Sequence, residues 1–360
     1  MKSFYFFIGT KAQAIKSIPL MSKIQEDSNF NVILVDSGQH VLITEKIFDS
    51  YSFKTLKLHS SNRNISTYIG GLSWVFKFIF RNIIFKNKKL FIDKSNRGTC
   101  IVHGDTMSTL LGMLWAKRNN LKVLHLESGL TSSDIFNPFP EEIIRRIVSK
   151  FSNILICFDD KSHELLIDKY SKTKKVIKRI STNTIVDSIS QENTLVDKNL
   201  ITVTMHRNEN LLSRKRVKLL IELLSKINNS YKINWYLHEP TENMLKKRKP
   251  SIPKNVKLLP LISHDEFLNE IKKSHLIITD GGSIQEECFY LNKNAIVWRK
   301  STERPYALND RIHLANYDLE SSLKHIEKIS NFTEDSKTIF KSPSSEIVEF
   351  KVRIKQKWIS

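Results

Sequence analysis

Residues 99–130 read TCIVHGDTMSTLLGMLWAKRNNLKVLHLESGL, and the fold follows from how they divide. Thr99–His103 and Lys122–Leu126 are short runs dominated by Val, Ile and Leu, apolar enough to be buried strands. A helical period starting near Thr106 separates them. A strand, a helix and a second strand in direct succession form a βαβ unit, whose strands run parallel. Each strand also ends in a polar knot, His103-Gly104-Asp105-Thr106 in one case and Glu127-Ser128-Gly129 in the other. Ligands of open α/β sheets bind at such carboxyl ends.

The same alternation continues in both directions. Phe4–Ile8 and Val32–Val35 precede this unit, and Ile154–Phe158, Ile201–Thr204, Lys232–Leu237, Val256–Leu259, His275–Thr279 and Asn294–Arg299 follow it. The pattern predicts an α/β protein of two Rossmann-like, doubly wound lobes with a cleft between them. The polar stretch DSISQENTLVDKN (187–199) marks the boundary. The expected division is an N-terminal lobe over 1–187 and a C-terminal lobe over 188–345. A terminal helix over 346–360 is expected to cross back to the first lobe.

A chain of 360 residues that is 40% hydrophobic can supply a core to each lobe, which excludes disorder as the default. Cys100, Cys157 and Cys288 are far apart and lack metal-ligand spacing, so they are read as reduced core thiols of a cytoplasmic protein. The first residues, MKSFYFFIGTKAQ, break their apolar run too early for a signal peptide. No uncharged apolar run approaches the roughly 18 residues of a membrane span. The net charge of +20 attracts anions without choosing among nucleotides, nucleic acid and acidic lipid. Its lysines are dispersed and no nucleic-acid motif accompanies them, so no nucleic-acid partner is expected. Between Gly71 and Ile92, Trp74, Phe76, Phe78, Phe80 and Phe85 interleave with Lys77, Arg81, Lys86, Lys88 and Lys89. A core helix with solvated lysines is the expectation; a peripheral membrane contact is the alternative.

Five clusters could carry chemistry. In GTKAQAIK (9–16), Gly9 permits close backbone approach, and a helix amino terminus flanked by Lys11 and Lys16 suits a pyrophosphate. Asp105, taken in isolation, reads better as the cap of the helix that begins near Thr106. Glu127 follows an apolar strand, where a carboxylate is costly unless it is used or paired. PFPEEIIRR (138–146) has the composition of a helix start, with Glu141 and Arg145 at i,i+4 spacing. The fifth cluster joins His206-Arg207-Asn208-Glu209-Asn210 to DGGSIQEE (280–287), whose two glycines expose N–H groups at a helix start. There Ser283 and Glu286 have capping-box spacing.

Taken in order, VHGDT (102–106), LESGL (126–130), NPFPEEIIRR (137–146), HRNEN (206–210), TDGGSIQEE (279–287) and STERP (301–305) resemble the motifs of the UDP-N-acetylglucosamine 2-epimerases. The resemblance extends over nearly the whole chain. It implies a fold of the glycosyltransferase-B kind and an enzyme that inverts C2 of a UDP-linked 2-acetamido sugar, by UDP elimination followed by re-addition or hydrolysis, in surface-polysaccharide sugar supply. By motif matching, Asp105, Glu127 and Glu141 form the acid/base set, with His206 near the pyrophosphate. Lys11, Lys16 and Arg145 supply positive charge, Gly281, Gly282 and Ser283 meet the phosphates, Glu287 takes the ribose hydroxyls, and Arg304 joins the substrate site. Three carboxylates this close would repel one another. No cofactor or metal is expected, and the partners are the UDP-sugar and a second copy in a homodimer.

The chain departs from the family pattern at several points. GTKAQAIK stands where GTRPEAIK is usual, Thr131 replaces an arginine, GGS (281–283) replaces SGG, and Tyr306 follows TERP where an acidic residue is common. The alternative reading is a glycosyltransferase of the same fold with a membrane-linked acceptor.

Overall fold

The structure, a computed structural model, describes residues 2–39, 51–58, 68–85, 98–131, 140–189, 194–227, 231–330, 332 and 340–357. The chain forms two compact units, Met1–Ser188 with Phe340–Ser360, and Ile189–Ile339. Asn137, Pro138, Phe139, Lys86, Lys88 and Lys89 lie outside the described residues.

The first unit is built on β1 (Lys2–Ile8), α1 (Lys11–Gln25), β2 (Phe30–Asp36), β3 (Lys54–Lys57), α2 (Tyr68–Ile79), β4 (Thr99–His103), α3 (Met107–Arg118), β5 (Lys122–Leu126), α4 (Glu141–Phe151), β6 (Ile154–Cys157), α5 (Asp160–Tyr170) and β7 (Val176–Arg179). All its strand pairs are parallel, in the order β3-β2-β1-β4-β5-β6-β7. The chain reverses direction across the sheet between β1 and β4, which opens a crevice at their carboxyl ends. Phe7, Cys100, Val102, Leu111 and Trp115 fill one face of this sheet. Within α1, Pro19 has no N–H to give the Ile15 carbonyl. Ser188, at the end of a 3₁₀ turn over Thr184–Ser188, donates its hydroxyl to that carbonyl at 2.8 Å.

The second unit repeats the design with β8 (Asp197–Met205), α6 (Asn208–Leu211), α7 (Arg214–Lys226), β9 (Lys232–Leu237), α8 (Glu239–Arg248), β10 (Val256–Pro260), α9 (His264–Lys273), β11 (Ser274–Thr279), α10 (Gly282–Tyr290), β12 (Asn294–Val297), β13 (Ile312–Leu314) and α11 (Leu319–Ser330). Its parallel order is β10-β9-β8-β11-β12-β13, with the reversal between β8 and β11. Trp235 and Trp298 are wholly buried in its core. The final helix, α12 (Pro343–Lys357), belongs to the first unit. The Ser344 amide donates to Asp187 at 2.9 Å, and Glu346 accepts the Ser181 hydroxyl.

The aromatic segment divides between two environments. Trp74 and Phe78 are buried against the sheet, and Trp74 Nε1 donates to the Ser37 carbonyl at 3.2 Å. A π-helical turn over Phe80–Ile84 continues α2, and Leu72, Phe76, Phe80, Ile84 and Phe85 face outward, Phe76 being 80% exposed. The expectation of a core helix therefore holds for one face only. Among the described residues no helix is long and apolar enough to cross a membrane.

Two interior histidines make stability depend on pH. Burial lowers His125 to about 4, against its hydrogen bond to Gly104, and burial likewise lowers His325 to about 4. The unfolded imidazoles take up protons near pH 6.5, before the folded ones do. Their contribution is complete above about pH 6.5 and is lost progressively as pH falls toward 4. Urea midpoints should therefore drop between pH 7 and pH 5, and His125→Asn should reduce that dependence. A midpoint unchanged over this range would contradict the assignment.

Candidate active site

In the first unit the site starts from the turn after β1. A Cβ on Gly9 would lie 2.5 Å from both Ser108 Cβ and Ser37 Oγ, so only glycine fits between these neighbours. Thr10 caps α1 in a capping box with Gln13. The Gln13 side-chain oxygen accepts the Gly9 and Thr10 amides at 2.9 and 3.2 Å, while its nitrogen reaches the His103 carbonyl at 2.8 Å and the Thr106 and Thr109 hydroxyls at 2.9 Å. A glutamate here, as in the usual GTRPEAIK, has no hydrogen to give the His103 carbonyl. Gln13 thus ties the β1 turn to the β4 turn. Lys11 opens α1 beside it.

Asp105 does not cap α3. Thr106 does, accepting the Thr109 amide, which leaves the Asp105 carboxylate to pair with Arg145 Nη2. Gly104 has φ +71°, a left-handed conformation that glycine adopts without strain, and its carbonyl accepts the Nε2–H of wholly buried His125 at 2.7 Å. His125 thereby fixes the turn that carries Asp105.

Glu127 sits at φ +60°, rare for a side chain of its size, and is 9% exposed. Its carboxylate accepts from Lys16 Nζ and Asn183 Nδ2, and His103 Nε2 lies 3.4 Å away. A strained backbone at the end of a buried strand, with its carboxylate paired to a buried cation, makes Glu127 a candidate functional position. Lys16, expected beside a pyrophosphate, and Arg145, expected to supply positive charge, are 3% exposed and already hold Glu127 and Asp105. The repulsion expected among the carboxylates is tempered at Asp105 and Glu127, which pair with Arg145 and Lys16.

Helix α4 opens at Glu141, with Pro140 at the N-cap. Arg145 pairs with Glu142 (2.7 Å) and Asp105, so the salt bridge drawn from i,i+4 spacing to Glu141 gives way to an i,i+3 pair. Glu142, 1% exposed, also accepts from Arg146 Nε (3.0 Å) and the Thr131 hydroxyl (2.8 Å). Thr131 therefore has a partner of its own where an arginine is usual.

The second unit is organised by Asp280, wholly buried after β11. It accepts the His206 amide at 3.0 Å, the Arg207 amide at 3.0 Å and Asn210 Nδ2 at 3.0 Å, which fastens the HRNEN turn to the DGGS turn. His206 Cε1 lies 3.2 Å from where a Gly281 Cβ would stand, and its ring packs against His238, centroids 4.7 Å apart. Burial lowers the His206 pKa, against the pull of Asp280. Helix α10 starts at Gly282, Gly281 is its cap, and no side chain caps it. The Ser283–Glu286 capping box does not form, because Glu286 is buried and turned to Arg304 Nε (3.3 Å) and the Tyr306 hydroxyl (2.6 Å). Tyr306 thus donates to a carboxylate that an acidic residue there would repel. Burial first, then Glu286, holds the Tyr306 phenol well above its usual range.

A Cβ on Gly282 would collide with the Arg304 guanidinium and stand 2.5 Å from Glu303 Oε1. Glu303 is clasped by Arg299 (2.6 Å), Arg304 (2.6 Å) and Arg207 (3.3 Å). Burial pushes its carboxyl up, but the three arginines outweigh burial and hold it well below the usual range. Glu287 is 2% exposed and lies 2.9 Å from His264 Nε2. Among the described residues no group of three or more His, Cys, Asp or Glu side chains is placed to hold a metal. Sequence reasoning missed Glu142, Glu303 and His264, whose partners come from other elements or from a different turn of the same helix.

The buried Lys16–Glu127 pair yields a stability test. Lys16→Met leaves a carboxylate in the interior without its cation and should cost about 3–5 kcal/mol in urea unfolding. The double variant Lys16→Met/Glu127→Gln should recover most of the loss. A single variant as stable as the parent would refute the pairing.

Three comparisons bear on this geometry. A sequence model of the family described as UDP-N-acetylglucosamine 2-epimerase matches residues 22–345. The UDP-N-acetylglucosamine 2-epimerase of Campylobacter jejuni is 30% identical over 339 residues, covering 86% of this chain and 84% of that protein. The Bacillus subtilis enzyme of the same name is 24% identical over 332 residues, covering 87% and 83%. Among solved structures, the Methanocaldococcus jannaschii UDP-GlcNAc 2-epimerase in complex with UDP-GlcNAc and UDP superposes with a TM-score of 0.78 at 24% identity, covering 98% of this chain and 100% of that one. The spinosyn rhamnosyltransferase SpnG shares the fold at a TM-score of 0.52 and 11% identity, covering 99% and 96%, which places both units in the glycosyltransferase-B-like class. With the family model spanning most of its length, the chain belongs to the UDP-N-acetylglucosamine 2-epimerase family.

Proposed function

We propose that the protein inverts C2 of a UDP-linked 2-acetamido sugar of the UDP-N-acetylglucosamine type. The observation that carries this reading is the placement of Asp105 and Glu127 after neighbouring strands β4 and β5, each paired with a buried cation. A C2 proton with no adjacent carbonyl is too weakly acidic to be removed alone. Its loss is coupled to cleavage of the anomeric C–O bond: the C2–H electrons form a C1=C2 double bond, and UDP departs with the bonding pair. A proton then returns to C2 on the opposite face, and either the phosphate oxygen or water adds at C1.

Asp105, with a side chain 29% exposed, is the carboxylate that meets the sugar. Glu127, Glu141 and His206 complete the proton-transfer set, and Lys11, Lys16 and Arg145 set the local charge. The DGGS turn of the second unit takes the diphosphate on the N–H groups at the start of α10, with Gly281, Gly282, Ser283 and Arg304, while Glu287 takes the ribose. The reaction runs in the cytoplasm, in keeping with the buried free thiols of Cys100, Cys157 and Cys288.

In deuterated water, the protein and UDP-N-acetylglucosamine should give deuterium at C2 and an inverted product by NMR. Asp105→Asn or Glu127→Gln should slow exchange by roughly two to four decades with far smaller effects on UDP affinity. Full exchange in both amide variants would remove these carboxylates from the mechanism. Sugar transfer to a lipid-linked acceptor without C2 exchange would replace epimerisation with the transferase reading.

The homodimer forms through the outward face of α2 and its π turn. Leu72, Phe76, Phe80, Ile84 and Phe85 are the aromatic-rich apolar patch that a two-fold interface buries. Light scattering should give a dimer, and Phe76→Asp/Phe80→Asp should give a folded monomer. A parent protein that is monomeric and floats with anionic vesicles would assign this face to a membrane surface instead.

A further inference from the structure

The Glu287 carboxylate is buried to 2% exposure, and only one of its oxygens is satisfied. Oε1 lies 2.9 Å from His264 Nε2, while Oε2 has no hydrogen-bond partner among the described residues. A buried carboxylate oxygen without a donor is costly, and natural sites keep one where a ligand supplies the donor. An ionised carboxylate accepts only, so the His264 nitrogen facing it carries the hydrogen. His264 is the first residue of α9, set there by a capping box between Ser263 and Glu266. The other ring nitrogen, Nδ1, is 3.7 Å from the exposed Asp265 carboxylate. Glu287 stands in the second turn of α10, the helix whose start carries Gly282.

We propose that His264 is a positioning residue for nucleotide recognition: by donating to Glu287 Oε1 it fixes the carboxylate rotamer and reserves Oε2 for a ribose hydroxyl. This rests on the assignment of Glu287 to the ribose. The imidazole does not touch the nucleotide. It removes the carboxylate's rotational freedom before binding, so the ordering cost is already met when the sugar arrives.

The test compares UDP with 2′,3′-dideoxy-UDP by calorimetry. The parent should bind UDP roughly tenfold to hundredfold more tightly, the range for a hydrogen bond to a charged group. His264→Leu should shrink that ratio to about threefold or less while leaving dideoxy-UDP affinity unchanged, which a general loss of structure would not do. His264→Gln, which keeps a donor, should restore most of the ratio and also serves if the leucine variant fails to fold. A full ratio in His264→Leu, or no recovery in His264→Gln, overturns the positioning role. A parent ratio near one overturns the ribose assignment of Glu287, and the positioning role with it.

Discussion

A carboxylate at the carboxyl end of a buried parallel strand must find a cation or several N–H donors, and both units are organised around meeting that demand. In the first unit Glu127 draws Lys16 from α1 and Asn183 from the segment after β7. Asp105 draws Arg145 from α4. Elements far apart in sequence are thereby held at one rim of the sheet. In the second unit Asp280 draws two backbone amides and the Asn210 side chain, and the HRNEN turn takes its shape from those bonds. The groups proposed to serve chemistry are here also the groups that hold the fold together.

Much of this was legible because strands buried on both faces leave dense apolar runs with polar residues just beyond them. Thr99–His103, Lys122–Leu126 and Lys232–Leu237 begin and end where the pattern put them. Strands β3, β7 and β13 were not foreseen. All three lie at sheet edges and are only three or four residues long, and the KTLK of β3 and VIKR of β7 carry a lysine or arginine that one-sided burial permits. Motif spacing found Asp105, Glu127 and Asp280, because strand ends are fixed by topology. It could not find their partners, which depend on how helices from distant sequence pack.

Local rules failed where two of them competed for one side chain. Asp105 and Thr106 could each cap α3; the threonine does so, because the aspartate gains more from a guanidinium. Glu286 matches a capping box, yet a tyrosine hydroxyl and Arg304 claim it. The departures from the family pattern acquire reasons in the same way. Gln13 gives a hydrogen to the His103 carbonyl that a glutamate could not give, Thr131 donates to Glu142, and Tyr306 turns a like-charge encounter with Glu286 into a hydrogen bond.

The return of α12 to the first unit has a consequence for biogenesis. A ribosome delivers the sheet of that unit early but α12 only after the whole second unit has emerged in between. At ordinary elongation rates that interval is on the order of ten seconds to half a minute. Throughout it, the flank of α1 and the Thr184–Ser188 turn that α12 covers stay uncovered, while the contiguous second unit has everything it needs to close. The nascent chain therefore matures out of order, the first unit closing only after the second.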